Sequence, residues 1–321
     1  MTTTVETHPE TRGTTATSIS NLIGHTPLVR MDHLFDGLPF EVYGKLEKLN
    51  PGGSIKDRAA QSMIERAIRR GEIVPGRTTV IESSSGNLGI AVAILCQEHG
   101  LNFICVTDAK ATPTNIRLIE AFGATVEVIE EPHPESGEFL PMRLKRVREL
   151  LSEIPDAWWP NQYGNPDNPA AHERTVREII EAIPRVDTIV CATGSCGTLR
   201  GCHEALRKLS PRTRLVAVDA KGSAIFDEAG APHPRCVPGH GASVRPPLWR
   251  AGLADQLVLV SDADCVVGCQ EALRTEALLL GGSSGAILTA IHRVSPTIPA
   301  GSTVVTLSLI HISEPTRPRL I

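Results

Sequence analysis

The chain has 321 residues, of which 41% are hydrophobic and 21% charged, and a formal net charge of −4; these values predict a soluble protein of about two domains with a substantial buried core. There is no basic excess to hold nucleic acid, no apolar run long enough to span a bilayer, and no charged-then-apolar amino terminus of the secretory kind. A cytoplasmic protein with neither nucleic-acid nor membrane partners is expected.

Residues 1–16, rich in Thr and Glu, show no hydrophobic period and read as disordered. Order is expected from Ile19 onward, where short apolar strands alternate with helices. The pattern predicts strand Val42–Leu46, a helix from Asp57, strand Thr79–Glu82, helix Gly86–Glu98, strand Phe103–Val106, helix Thr114–Phe122, strand Thr125–Ile129 and a helix over Glu138–Leu151. A loop rich in Pro and Asn covers Trp159–Pro169. After it come a predicted helix at Ala171–Ile183, strand Thr188–Cys191, a helix from Thr198, strands Leu215–Val218 and Leu257–Val260, helices across 263–280 and 285–293, and strand Thr303–Thr306. Strands separated by helices imply an α/β protein with two open, twisted, mostly parallel sheets flanked by helices and a cleft between them. The segment Gly230–Pro247, dense in Pro, Gly and His, reads as a long loop and a candidate lid over that cleft.

Eight cysteines include no CxxC pair, and the histidines form no HExxH, so neither disulfides nor a metal are expected. Cys265 and Cys269, four apart on a predicted helix, read as packed thiols.

Four stretches carry chemistry. Lys56 follows the turn Pro51-Gly52-Gly53-Ser54 and opens a helix, where the dipole disfavours an ammonium and lowers its pKa, as a lysine that attacks a carbonyl requires. A solvated loop lysine is the alternative. The run Glu82-Ser83-Ser84-Ser85-Gly86-Asn87-Leu88-Gly89 follows a strand and opens a helix, so that Ser84, Ser85 and the main chain at Gly86 could hold a carboxylate while Asn87 donates to a ring oxygen. A plain helix cap would look the same. Gly194, Ser195, Cys196, Gly197 and Thr198 likewise join strand to helix, as either a cradle for a phosphate dianion or a tight turn. Finally, Gly281-Gly282-Ser283-Ser284-Gly285 places Ser283 near a helix start.

In order and spacing these four stretches resemble the pyridoxal-phosphate enzymes of the β family (fold type II, tryptophan synthase β-like), which includes cysteine synthase, cystathionine β-synthase and serine and threonine dehydratases. The resemblance runs from about Ile19 to Thr306. It implies pyridoxal 5′-phosphate as cofactor, Lys56 as the Schiff-base lysine and α-proton base, Asn87 on the ring hydroxyl, Gly194 to Thr198 on the phosphate, and Ser283 facing the pyridine nitrogen. A neutral serine does not stabilise a protonated pyridinium, which favours elimination of a β leaving group over transamination. The resemblance also implies a homodimer, a smaller domain at 50–155, and a larger cofactor-anchoring domain from 17–49 plus 156–306.

The chain departs from the sulfhydrylase pattern at Ser83-Ser84-Ser85-Gly86-Asn87-Leu88 and at Gly194-Ser195-Cys196-Gly197-Thr198. With residues 159–165, 218–226 and 238–243 it is similar to the branch that joins O-phosphoserine to glutamate on the way to 2,3-diaminopropionate in siderophore and antibiotic pathways. Cysteine or cystathionine synthesis from sulfide or homocysteine is the alternative, and an inactive cofactor-binding relative is another. Two anionic substrates call for basic and hydroxyl donors, for which Arg143, Gln162, Tyr163 and Ser195 are candidates; Arg143 could equally be an ordinary exposed helix residue. Residues 307–321 resemble a translated sequencing adapter, so a replaced natural carboxyl terminus is expected there.

Overall fold

The computed structural model describes residues 15–226 and 235–307. Nearly all of the stretch expected to be disordered, the first part of the expected lid and the tail beyond Leu307 lie outside these residues.

In chain order, β1 (Leu28–Arg30) and β2 (Glu41–Lys45) precede α1 (Lys56–Arg69), β3 (Thr79–Ser83), α2 (Asn87–Glu98), β4 (Asn102–Asp108), α3 (Pro113–Ala121), β5 (Thr125–Ile129), α4 (Leu140–Glu153) and β6 (Ala157–Trp158). Then follow α5 (Asp167–Ala170), α6 (His172–Ala182), β7 (Thr188–Ala192), α7 (Gly197–Leu209), β8 (Arg214–Ala220), β9 (Gln256–Val260), α8 (Asp262–Glu276), α9 (Gly282–Val294) and β10 (Thr303–Leu307). Two sheets result, ordered β1-β2-β10-β7-β8-β9 and β5-β4-β3-β6. Every pairing is parallel except the antiparallel β1–β2 edge. Parallel strands need crossover helices, which cover both faces and turn the strands into continuous apolar runs. In β7 (Thr-Ile-Val-Cys-Ala) four of five residues are buried.

The strands β1 and β6 were not legible, because three or two residues are too few to display a period. β6 also corrects the expected lobe boundary at 155: Ala157 and Trp158 pair with Thr79 and Val80, so they belong to the four-stranded sheet.

Local sequence explains how the helices are set. The helix α2 is apolar all round, with Leu88 through Cys96 buried, as a helix sandwiched in a core must be. Ser261 and Asp264 form a capping box that starts α8. At the α8–α9 crossing a side chain at Gly268 would collide with the Gly285 carbonyl, and one at Gly285 with the Cys265 carbonyl. These glycines let the two backbones touch, with Cys265 and Cys269 packed beside them, and so bring the start of α9 to the ends of the central strands.

Between the lobes lies a buried set of charges. Arg58 on α1 donates to both carboxylate oxygens of Glu47 (2.7 and 2.9 Å) and both of Glu178 (2.9 and 2.7 Å), and Lys45 meets Glu178 at 2.8 Å. This network ties α1 to the six-stranded sheet and to α6, two residues beyond Lys56.

Candidate functional site

The carboxyl ends of β3 and β4 in one sheet and of β7 and β10 in the other open onto a cavity of about 840 Å³. That is where ligands sit in open parallel sheets, since helix amino termini converge there. The cavity is lined by Lys56, Ser84, Ser85, Gly86, Asn87, Arg143, Gln162, Tyr163, the loop Gly194–Thr198 and Ser283. Every residue singled out from the sequence therefore borders one space. Leu307 lines it too, as the last residue of β10, so at that position the chain is part of the fold.

Lys56 is the first residue of α1, and its N–H donates to Ser54 Oγ at 3.1 Å. Burial lowers the pKa of its amine, and the nearby Cys196 thiol acts weakly the other way. Desolvation is thus the principal cause where the helix dipole was expected to be. The neighbouring Asp57 faces away, accepting from the Gly52 N–H, and burial raises its carboxyl to about 7.

In the serine loop, Ser84 Oγ accepts from the Gly89 N–H (2.9 Å) and the Gly86 N–H (3.3 Å). Its oxygen thus serves the first turn of α2, while Ser84 still lines the cavity beside Ser85 and Asn87. Gln162 is also engaged structurally: its side-chain amide donates to the Ser83 carbonyl (3.3 Å) and its N–H to Glu82 (3.1 Å). Trp159 Nε1 donates to Glu82 as well (3.1 Å), and burial lifts this carboxyl to about 7. The Trp159–Pro169 loop is thereby pinned across the end of β3.

Arg143 is not an exposed helix residue. It is buried on α4 with Nε 3.2 Å from Asp108 Oδ2, and its charge reaches Tyr163, whose phenol burial pushes upward. Nothing in the local sequence marked Asp108 as its partner.

The turn into α7 is held from both sides. Cys196 adopts a left-handed φ of 64°, a side chain at Gly197 would overlap Asn168, and one at Gly194 would meet the Gly239 carbonyl. Residues 235–243 therefore run along the cavity wall beside this turn. Thr198 Oγ1 lies 3.2 Å from His172 Nε2, whose other ring nitrogen is 3.3 Å from Thr175 Oγ1. The sequence contains no signal for His172, a lone histidine on an amphipathic helix.

Burial, with the charges of Arg58 and Lys56, lowers His172 to about 3. An unfolded histidine takes a proton below 6.5, so the contribution of His172 to stability is complete above that pH and is lost as the pH falls toward 3. Lowering the pH from 7 to about 5 should therefore cost the wild type roughly 2 kcal/mol more stability than it costs His172→Asn. Urea unfolding at both pH values checks this; parallel losses would show that the ring is not held neutral.

The comparisons with known proteins agree on one family. A sequence model of the family described as "Pyridoxal-phosphate dependent enzyme" matches residues 19–308. The N-(2-amino-2-carboxyethyl)-L-glutamate synthase of Ralstonia nicotianae is 44% identical over 281 residues, which are 87% of this chain and 82% of the relative. Among solved structures, the O-acetylserine dependent cystathionine beta-synthase of Helicobacter pylori is 31% identical with a TM-score of 0.87, over 96% of this chain and 100% of that one. The cysteine synthase of Entamoeba histolytica is 28% identical with a TM-score of 0.88, over 97% and 92%.

Proposed function

We propose, from the premise that this chain belongs to the family of pyridoxal-phosphate dependent enzymes, that it catalyses a β-replacement joining O-phospho-L-serine to L-glutamate. The product is N-(2-amino-2-carboxyethyl)-L-glutamate, and phosphate is released. The observation that carries the reading is the gathering of a desolvated amine, Lys56, with Arg143 and two helix amino termini around one cavity.

The residues present suit the cofactor. The turn at Gly194–Thr198 offers main-chain N–H groups at the start of a thirteen-residue helix, with a tightly packed backbone, as a phosphate requires. Lys56 would hold the aldehyde carbon, Asn87 the ring hydroxyl and Ser283 the ring nitrogen. When bound, pyridoxal phosphate supplies an electron-withdrawing ring that stabilises negative charge at the substrate Cα.

The chain's own part is acid–base chemistry and charge placement. Lys56 Nζ, its basicity lowered by burial, takes the Cα proton as a neutral amine. Phosphate leaves Cβ with its bonding pair, the glutamate nitrogen forms the new C–N bond at Cβ while losing a proton, and Lys56 returns a proton to Cα. Arg143, held by Asp108, stands where it can meet a departing anion.

The same reading has the protein act as a cytoplasmic homodimer that feeds 2,3-diaminopropionate to siderophore or antibiotic assembly, with a smaller lobe running from about residue 50 to the end of β6. The activity in this reading is supported by the 44% identity to the Ralstonia N-(2-amino-2-carboxyethyl)-L-glutamate synthase. The second reading, a sulfide or homocysteine acceptor, is favoured by the fold of the cysteine and cystathionine synthases. Incubating holoenzyme and O-phosphoserine with glutamate, sulfide or homocysteine, and identifying the products by mass, should give the glutamate adduct as the main product. A thioether or cysteine as main product would overturn the choice of nucleophile.

A further inference from the structure

We propose that Lys110 and Arg235 form the subsite for the two carboxylates of the second amino acid, so that the cavity selects a dicarboxylic nucleophile. This deepens, and rests on, the β-replacement reading above.

Both side chains border the same cavity as Lys56, but from opposite lobes. Lys110 follows β4 of the four-stranded sheet, whereas Arg235 stands in the loop ahead of Gly239. At about 840 Å³ the cavity is near the upper end for a single ligand and has room for a second amino acid.

The charges are layered by depth. Arg143, further in, is neutralised by Asp108 at 3.2 Å. Lys110 is exposed and Arg235 half-buried, and among the described residues neither makes an ion pair with a carboxylate. The Lys110 ammonium sits 5.2 Å from the centre of the Phe139 ring, a cation–π contact that holds it against the cavity wall. Arg235 stands beside Gly241 on the facing wall, and its charge also reaches the buried Asp219. Two cations carried by opposite lobes therefore line one cavity. A ligand with carboxylates at both ends can meet both charges at once, one from each lobe. Glu138 on the same wall is available to the ammonium group of the incoming amino acid. Sulfide, or an amino acid with one carboxylate, would leave at least one cation unmatched.

The test is steady-state kinetics of the holoenzyme with O-phosphoserine and glutamate or glutamine, read by product mass. Alongside it, equilibrium dialysis measures labelled glutamate binding. Lys110→Gln and Arg235→Gln should each raise KM for glutamate about tenfold and weaken its binding in parallel, while KM for O-phosphoserine moves less than about twofold. The preference of the wild type for glutamate over glutamine should collapse in the double variant. Lys110→Arg should restore most of the glutamate affinity, and Lys208→Gln on remote α7 serves as the control for a generic loss of charge. Unchanged glutamate KM in both variants, or an equal rise in both KM values, overturns the subsite. Failure of the wild type itself to form the glutamate adduct overturns instead the reading on which the subsite rests.

Discussion

Lys56→Ala should lower β-replacement by about a thousandfold or more, while leaving the fold and its melting temperature nearly unchanged. The magnitude follows from removing in one step the positioned base for the Cα proton and the amine that fixes the cofactor, since general base catalysis alone accounts for roughly 10² to 10⁴. The fold should survive because Lys56 anchors no ion pair among the described residues; the charges that hold α1 in place belong to Arg58 two residues further on. Burial of the Lys56 amine lowers its pKa, so truncation also removes an unfavourable desolvation. Three measurements define the outcome: turnover by product mass, far-ultraviolet dichroism with melting, and borohydride reduction followed by peptide mass, which should attach the cofactor to Lys56 in the wild type only. Product formation by the variant at more than about a tenth of the wild-type rate would place the base elsewhere.

Arg58→Ala should act on the opposite axis, with a loss of about 3 to 5 kcal/mol in stability, because removing one member of a buried ion network strands the others. Glu47 is fully buried and the Glu178 side chain only 10% exposed, so neither carboxylate recovers much hydration when the guanidinium is gone. Burial acts to raise the pKa of Glu178, yet Arg58 and Lys45 hold it at about 2. With the folded value below the unfolded 4.5, this contribution is present above pH 4.5 and is lost as the pH falls toward 2. Acid should therefore narrow the gap between wild type and variant, and Arg58→Lys should rescue only part of it, since an ammonium cannot serve two carboxylates with paired N–H groups. Urea unfolding at pH 7 and pH 3 measures both effects. A loss below about 1 kcal/mol at pH 7 would show that the network relaxes around the missing side chain. Because Arg58 lies two residues after Lys56 and joins α1 to α6, some loss of activity should accompany the loss of stability.

Much of the architecture was legible because its signals are local. The alternation of apolar runs such as Thr188–Cys191 with amphipathic segments such as 172–182 reflects strands covered on both faces, a property each segment expresses alone. The lysine turn and the two serine- and glycine-rich turns were legible for the same reason: a helix that starts directly after a strand needs particular residues at the junction. The short strands β1 and β6 lack enough residues for a pattern and exist only through their neighbours.

Relations between distant positions required the folded chain. Arg143 read equally well as a surface residue until Asp108 and Tyr163 were found beside it, and the bonds of Ser84 Oγ with the Gly89 N–H and of Gln162 with the Ser83 carbonyl likewise appear only in the folded chain. His172, Arg235 and Lys110 left no mark in the sequence, since one charged or imidazole side chain has no periodicity and no spacing. The amino-acid order by itself determined an α/β protein with a lysine and two serine- and glycine-rich turns set at helix starts, because backbone geometry and helix termini are read over a few residues. Which side chains share the cavity, how far burial shifts their protonation and which charges go unmatched were decided only by tertiary packing, because desolvation and Coulomb interactions depend on distances through space that the chain order does not contain.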